Sequence, residues 1–161
     1  MMFADSAHQL LQVAMAFVAS VAYAVLYHVP KKALFLIGFV GTGAWLAQKG
    51  AMAAGLTQIG AAFTAALLVA AASEWLARWQ RMPVTVFTVG GIVPLVPGSK
   101  AYGAMREFVT GNDLEGITRG AETFLIAAAV AAGLVLAGTV VRFIDRRVRD
   151  ARKSAGNRSQ A

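Results

Sequence analysis

The sequence predicts an all-α integral membrane protein of five transmembrane helices, the fourth broken at Pro94-Leu95-Val96-Pro97-Gly98. Three observations carry that prediction. The 161 residues are 58% hydrophobic and only 14% charged, where a soluble domain carries about 25% charged residues. The charges gather between long apolar runs, most of them near the ~20 residues that a spanning helix needs. The stretch Phe87 to Lys100 within the fourth run is apolar yet holds Pro94, Pro97, Gly90, Gly91 and Gly98. Breaks of that kind survive in hydrocarbon only where protein or a polar cavity surrounds the freed backbone groups.

The first helix is expected over 9–28. The residues before it carry Asp5 and no Lys or Arg, and the apolar run is longer than the ~7–15 residues of a signal peptide's core, so it reads as a span. The second, 33–48, is short and ends at Gln48-Lys49-Gly50. The third, 51–77, is long enough to require tilt. The fourth, 84–109, is broken near 94–98, and the fifth covers 121–145. Between the last two, Met105 to Gly120 mixes Arg106, Glu107, Asp113, Glu115 and Arg119 with glycines and reads as a helix extension and loop. Residues 1–150 form a single membrane domain, and 151–161 a basic cytoplasmic tail.

Orientation follows from the 15 Lys and Arg. With five crossings, Lys49, Lys100, Arg106 and Arg119 fall on one side, and the remaining eleven, from Lys31 to Arg158, on the other. Positive charge favours the cytoplasm, which places the N-terminus outside and the C-terminus inside a plasma (inner) membrane. Tyr23, Tyr27, Trp75 and Trp79 then sit at inner helix ends and Trp45 near an outer one, the interfacial positions that amphipathic rings favour. Confinement of the basic residues to helix ends and one tail assigns the net charge of +7 to membrane orientation rather than to nucleic acid.

Enzyme chemistry finds no support. Cysteine is absent, which removes disulfides, thiolate metal sites and cysteine nucleophiles. His8 and His28 flank the first helix on opposite sides and cannot share a metal. No nucleophile elbow or phosphate loop occurs, and no catalytic residue, metal or cofactor is implied.

Binding chemistry concentrates at the break. Pro94 removes the helical partner of the Gly90 carbonyl, and Pro97 that of Val93. Ser99 suits the N-cap of a second helical piece, whose first amides, around Lys100 to Tyr102, point back at the break. A helix N-terminus suits an anion, and Lys100 adds a full charge. Pro94 to Pro97 lie ~17–21 Å along a helix counted from Pro83, near or beyond the midplane of a ~30 Å core. Gly90, Val93, Pro94, Pro97, Gly98, Ser99, Lys100 and Tyr102 are therefore the candidate substrate-binding residues: carbonyls for a cation or ammonium, amides and Lys100 for a carboxylate. The competing reading is a packing kink with Lys100 extended to the surface. Glu74 is a candidate for ion coupling, against a simple ion pair with Arg78 one turn later. Thr57, Gln58 and Thr64 are expected to bond across helices, and Gly38, Gly41, Gly43, Gly133 and Gly138 to let helices approach closely.

These residues also carry a resemblance. Pro83, Val86-Phe87-Thr88-Val89, Ile92-Val93-Pro94-Leu95-Val96-Pro97-Gly98, Ala101-Tyr102 and Met105 resemble the signature of the threonine/serine exporter family. The chain is similar to its small, five-helix subunit type, the C-terminal half of the fused exporters. The resemblance extends to the basic corner Val29-Pro30-Lys31-Lys32 and the Ala/Gly-rich last helix. It implies export of small carboxylates, either threonine and serine or a succinate-like dicarboxylate. It also implies a larger membrane subunit of the same family as partner, with assembly into a hetero-complex and a homo-oligomer as the lesser expectation. Lys100 departs from the small or apolar residue that follows Pro-Gly in the family, which favours an anionic substrate. The rival is a structural or assembly protein of the membrane with no substrate pathway.

Overall fold

The computed structural model describes residues 2–158, with side chains for 9–141 and 143. Among these residues there are six α-helices and no strand: α1 (Met2–Leu26), α2 (Lys31–Ala53), α3 (Gln58–Gln80), α4 (Val84–Gly91), α5 (Gly98–Val109) and α6 (Asp113–Arg158), with a 3-10 turn at Val93–Leu95 between α4 and α5. The end of the tail expected at 151–161 lies outside the described residues; up to Arg158 its backbone continues α6.

One device closes all four helix hairpins. After α1 the chain enters the left-handed region at His28 (φ 55°), with Val29 N–H donating to the Ala24 carbonyl at 3.1 Å and His28 N–H to Val25 at 2.9 Å. Arg81 (φ 54°) ends α3 the same way, Met82 N–H donating to Ala77 at 3.0 Å. Both turns continue into a proline, Pro30 and Pro83, whose fixed φ starts the next helix. At the other end of the bundle the left-handed residue is glycine, Gly55 (φ 92°) and Gly111 (φ 82°), again closed by six-residue bonds, Leu56 N–H to Ala51 (3.1 Å) and Asn112 N–H to Glu107 (2.9 Å).

These turns correct two expected boundaries. The third helix does not begin at 51: Gly50 to Ala53 finish α2, the reversal falls at Gly55, and Thr57 caps α3 by accepting from Gly60 N–H at 3.3 Å. The loop expected between Met105 and Gly120 contracts to the reversal at Thr110–Asn112, because Gly111 suffices for the turn and α6 starts at Asp113. Thr57 and Thr64 do not bond across helices either: Thr57 is the cap, and Thr64 donates to the Ala61 carbonyl of its own helix at 3.0 Å.

Helix α3 is central. It packs between α2 and α6, α4 lies against both α2 and α3, and α1 covers α2 and α4. Helix α5 makes its extensive contacts only with α6. Close approach is built from small residues. A Cβ on Gly133 of α6 would stand 2.8 Å from the Phe63 carbonyl oxygen, and one on Gly41 of α2 would stand 1.9 Å from Ser20 Oγ of α1. Gly38 is filled in the same way by Phe17, whereas Gly43 and Gly138 face open space and serve no contact. Ile37, Val69, Phe87, Leu95 and Ile126 centre the core. Leu10, Leu68, Phe124 and Val135 are exposed, the outward apolar surface that suits lipid.

Three helical stretches are long and apolar enough to cross a membrane: Gln9–Leu26, Gln58–Gln80 and Asp113–Val141. The pair Val84–Leu95 and Gly98–Val109, bent by 49°, makes a fourth if it is one span. Helix α2 is not among them; its glycines and the Gln48-Lys49 end dilute an apolar stretch that is already short.

Candidate functional site

The bent α4–α5 pair divides the candidate residues between two environments. Gly90 and Gly91 are buried, and Pro94, partly buried, reaches the same α1–α2 contact. A Cβ at Gly41 would come within 3.5 Å of the Pro94 ring. Ile37 and the Ser20 carbonyl bear on Gly90, while Val40 and Val69 bear on Gly91. Leu95 is 2% exposed. From Gly98 onward the chain leaves the core, and Gly98, Ser99 and Tyr102 are exposed.

The backbone across the break is better paired than two prolines suggest. Ile92 N–H donates to Thr88 (3.0 Å), Leu95 to Ile92 (2.8 Å), Val96 to Val93 (3.3 Å), Gly98 to Val96 (2.8 Å) and Ala101 to Pro97 (3.0 Å). The expectation of a free Val93 carbonyl is therefore corrected. Tightening into a 3-10 turn supplies an i→i+3 donor where the α-helical one is missing. Ser99 is not the N-cap: Pro97 holds that position, and Ser99 is the second residue of α5. The amides of Ser99 and Lys100 keep first-turn positions, where no intrahelical acceptor exists.

Lys100 does not extend freely to the surface. Its Nζ pairs with the Glu122 carboxylate of α6. One turn along the same hairpin, Arg119 binds Glu107 (3.2 Å) and Glu115 (2.9 Å). Ser99, Lys100, Gly103, Arg119 and Glu122 line an open polar cavity of about 290 Å³. Tyr102 is 71% exposed and does not line it. A second cavity, of about 180 Å³, lies toward the Pro30 end of the bundle and is lined by Tyr23, Tyr27, Thr85, Val89 and Gly90 among others. Along the chain the one cavity reaches the break at Gly90 and the other begins beyond it at Ser99.

Arg119 and Glu122 were missed in the sequence. For Lys100 and Glu122 the available signal was symmetry, since each stands eleven residues from Gly111 on opposite arms of the hairpin; Glu107 and Arg119 stand four and eight residues away and carry no such signal. Ser20 and Ser73 were missed as well; both are fully buried, and neither hydroxyl has a hydrogen-bond partner. Glu74 is 12% exposed, with Arg78 Nη2 at 3.8 Å. Among the described residues no group of three His, Asp or Glu gathers as a metal site would require.

The family description threonine/serine exporter, ThrE, matches residues 12–140, from the middle of α1 to the end of the apolar part of α6 and across the whole break. The chain belongs to the threonine/serine exporter family. Threonine/serine exporters are transporters and not an enzyme family, and together with the long apolar helices this makes the chain a multi-pass membrane protein. No solved structure matches it.

Proposed function

We propose that this chain is a subunit of an exporter of small carboxylates and that substrate passes the α4–α5 break. The supporting observation is a pair of cavities that flank the break along the chain, one lined by Gly90 before it and the other by Ser99 and Lys100 after it. Broken helices of this kind form substrate sites in transporters that work by alternating access.

At the α5 side, Lys100, Arg119 and the amides of Ser99 and Lys100 favour a carboxylate. Glu122 is poised for an ammonium when substrate takes Lys100 from it. That arrangement suits a threonine- or serine-type zwitterion, and a succinate-like dianion uses Arg119 for its second carboxylate. In this reading the chain crosses the plasma (inner) membrane five times, α2 included, with its N-terminus outside. A larger membrane subunit of the same family supplies the rest of the pathway, because one half of five helices builds only one wall.

The test is efflux of labelled threonine, serine and succinate from cells carrying the chain and its partner. Lys100→Ala is expected to reduce export severalfold at unchanged protein level: the Lys100 and Glu122 side chains are 30% and 46% exposed, and a charge contact so solvated is worth about 1 kcal/mol. Leu136→Ile is the control. Normal efflux in Lys100→Ala and in Pro97→Ala would leave the break as a packing kink and favour a structural protein.

A further inference from the structure

A third cavity lies away from the break, between α2 and α3. It is a groove of about 490 Å³ whose lining is apolar almost throughout. Val40 and Val69, which also bear on Gly91 of α4, form its floor. Phe39, Leu68 and Trp75 form its open edges and are more than half exposed. Gly43 lies along it with nothing within 4 Å of a Cβ.

Basic residues outnumber acidic ones at one end of this groove, where Arg78 is paired with Glu74. Helices α2 and α3 are antiparallel, so the start of α2 and the end of α3 share one end of it. Lys31 and Lys32 open α2, Lys32 one turn from the lining residue Leu36; Arg78 is one turn beyond Trp75, and Arg81 caps α3. All four are exposed. Trp75 and Trp79 stack there at 6.2 Å, with their planes 18° apart, an interfacial arrangement. The first-turn amides of α2 add partial positive charge. At the other end of α2, Lys49 is engaged over the Trp45 ring at 5.5 Å. A molecule that fits must be apolar along its length and anionic at one end. An apolar partner helix would leave the cationic end unmatched. Basic sites between membrane helices are known to take anionic headgroups.

We propose that the α2–α3 groove holds an acyl chain of an anionic phospholipid, with the phosphate seated at Lys31 and Lys32. The site does not depend on transport, only on α2 and α3 lying in the bilayer.

Fluorescence quenching in vesicles tests it. The full chain carrying Trp45→Phe keeps Trp75 and Trp79 as reporters. It is reconstituted in phosphatidylcholine with increasing fractions of either brominated phosphatidylglycerol or brominated phosphatidylcholine. Each lysine near an anionic surface contributes about fivefold in relative binding, so the anionic lipid is expected to be preferred more than fivefold. Lys31→Gln with Lys32→Gln brings that preference to near one without changing folding. Gly43→Leu, which fills open space, lowers quenching by both lipids. Equal quenching by the two lipids in the parent chain would overturn the proposal, and so would a preference that survives the double lysine change. A chain that is dimeric in the parent and monomeric in Gly43→Leu, with no lipid preference in either, would assign the groove to a second copy and overturn it too.

Discussion

Gly90 and Gly91 are the residues whose change most directly tests how α4 is seated. An alanine in a helix interior is ordinarily about 1 kcal/mol better than glycine. Here a Cβ at Gly90 would stand 2.2 Å from Ile37 Cγ2, and one at Gly91 would stand 2.6 Å from Val40 Cγ1 and 3.2 Å from Val69 Cγ1. Ile37 is fully buried and β-branched, with essentially one helical rotamer, so it cannot turn away. Helix α4 must shift instead, and overpacking of this kind costs about 1–3 kcal/mol. Gly43→Ala meets nothing within 4 Å and keeps the propensity gain. Gly90→Ala is therefore expected to lie about 1–3 kcal/mol below Gly43→Ala, or roughly 2–12 °C in thermal unfolding for a chain of this length. Unfolding of purified protein in detergent measures the difference. Ile37→Ala, placed in the Gly90→Ala background, should cost at least about 0.5 kcal/mol less than the two single changes added together, because it removes the clashing methyl. Gly90→Ala as stable as Gly43→Ala, or strictly additive changes, would refute the close seating of α4.

Glu74→Gln should cost at most about 1 kcal/mol, since Arg78 is half exposed and stays solvated without its partner; the pH dependence of efflux should not move, and its loss would make Glu74 a coupling residue. Cysteine labelling in intact cells should reach position 113 from outside, and position 152 only after the membrane is opened. Labelling of both from the same side would defeat the five-crossing topology.

Much of the helix layout was legible because it rests on local chemistry. His28-Val29-Pro30 and Arg81-Met82-Pro83 place a helix end and the next helix start within three residues, and the apolar runs between them have no other way to satisfy their backbone. The boundary between α2 and α3 was misread because both Gly50 and Gly55 can end a helix. Only the bond from Leu56 N–H to Ala51 shows which one does. At the break, the residue types announced an interruption but not its pairing: i→i+3 bonds depend on how tightly Ile92 to Val96 wind, which no single residue dictates. The ion pairs of Lys100 and Arg119 were hidden for a different reason. Lys100 with Glu122 and Arg119 with Glu107 join α5 to α6, and as long as Met105 to Gly120 read as a loop, no register existed in which to match Lys100 with Glu122. Recognising Gly111 as the reversal makes that match immediate.

The position of the break follows from what each half of the bent helix packs against. Helix α4 is held by α1, α2 and α3, while α5 rests on α6. A straight helix through 84–109 would have to satisfy both sets of neighbours along one axis, and the 49° bend shows that it does not. Proline suits the junction for a physical reason. Any residue there loses its α-helical acceptor, and proline has no N–H to leave unpaired in an apolar setting. The other donors are taken up by the short turns from Ile92 to Gly98. Interior polarity is thereby kept low through Leu95, and along the bent helix charged residues appear only in α5. In the proposed pathway, a substrate anion approaching from the α5 side meets Lys100 at the first turn beyond the junction. A change at Lys100 and a change at Pro97 should therefore act on different quantities: Lys100→Ala on substrate affinity, read as a raised half-saturating concentration, and Pro97→Ala on maximal rate, through the altered junction. Identical kinetic signatures for the two variants would mean that the charge and the bend do not act separately.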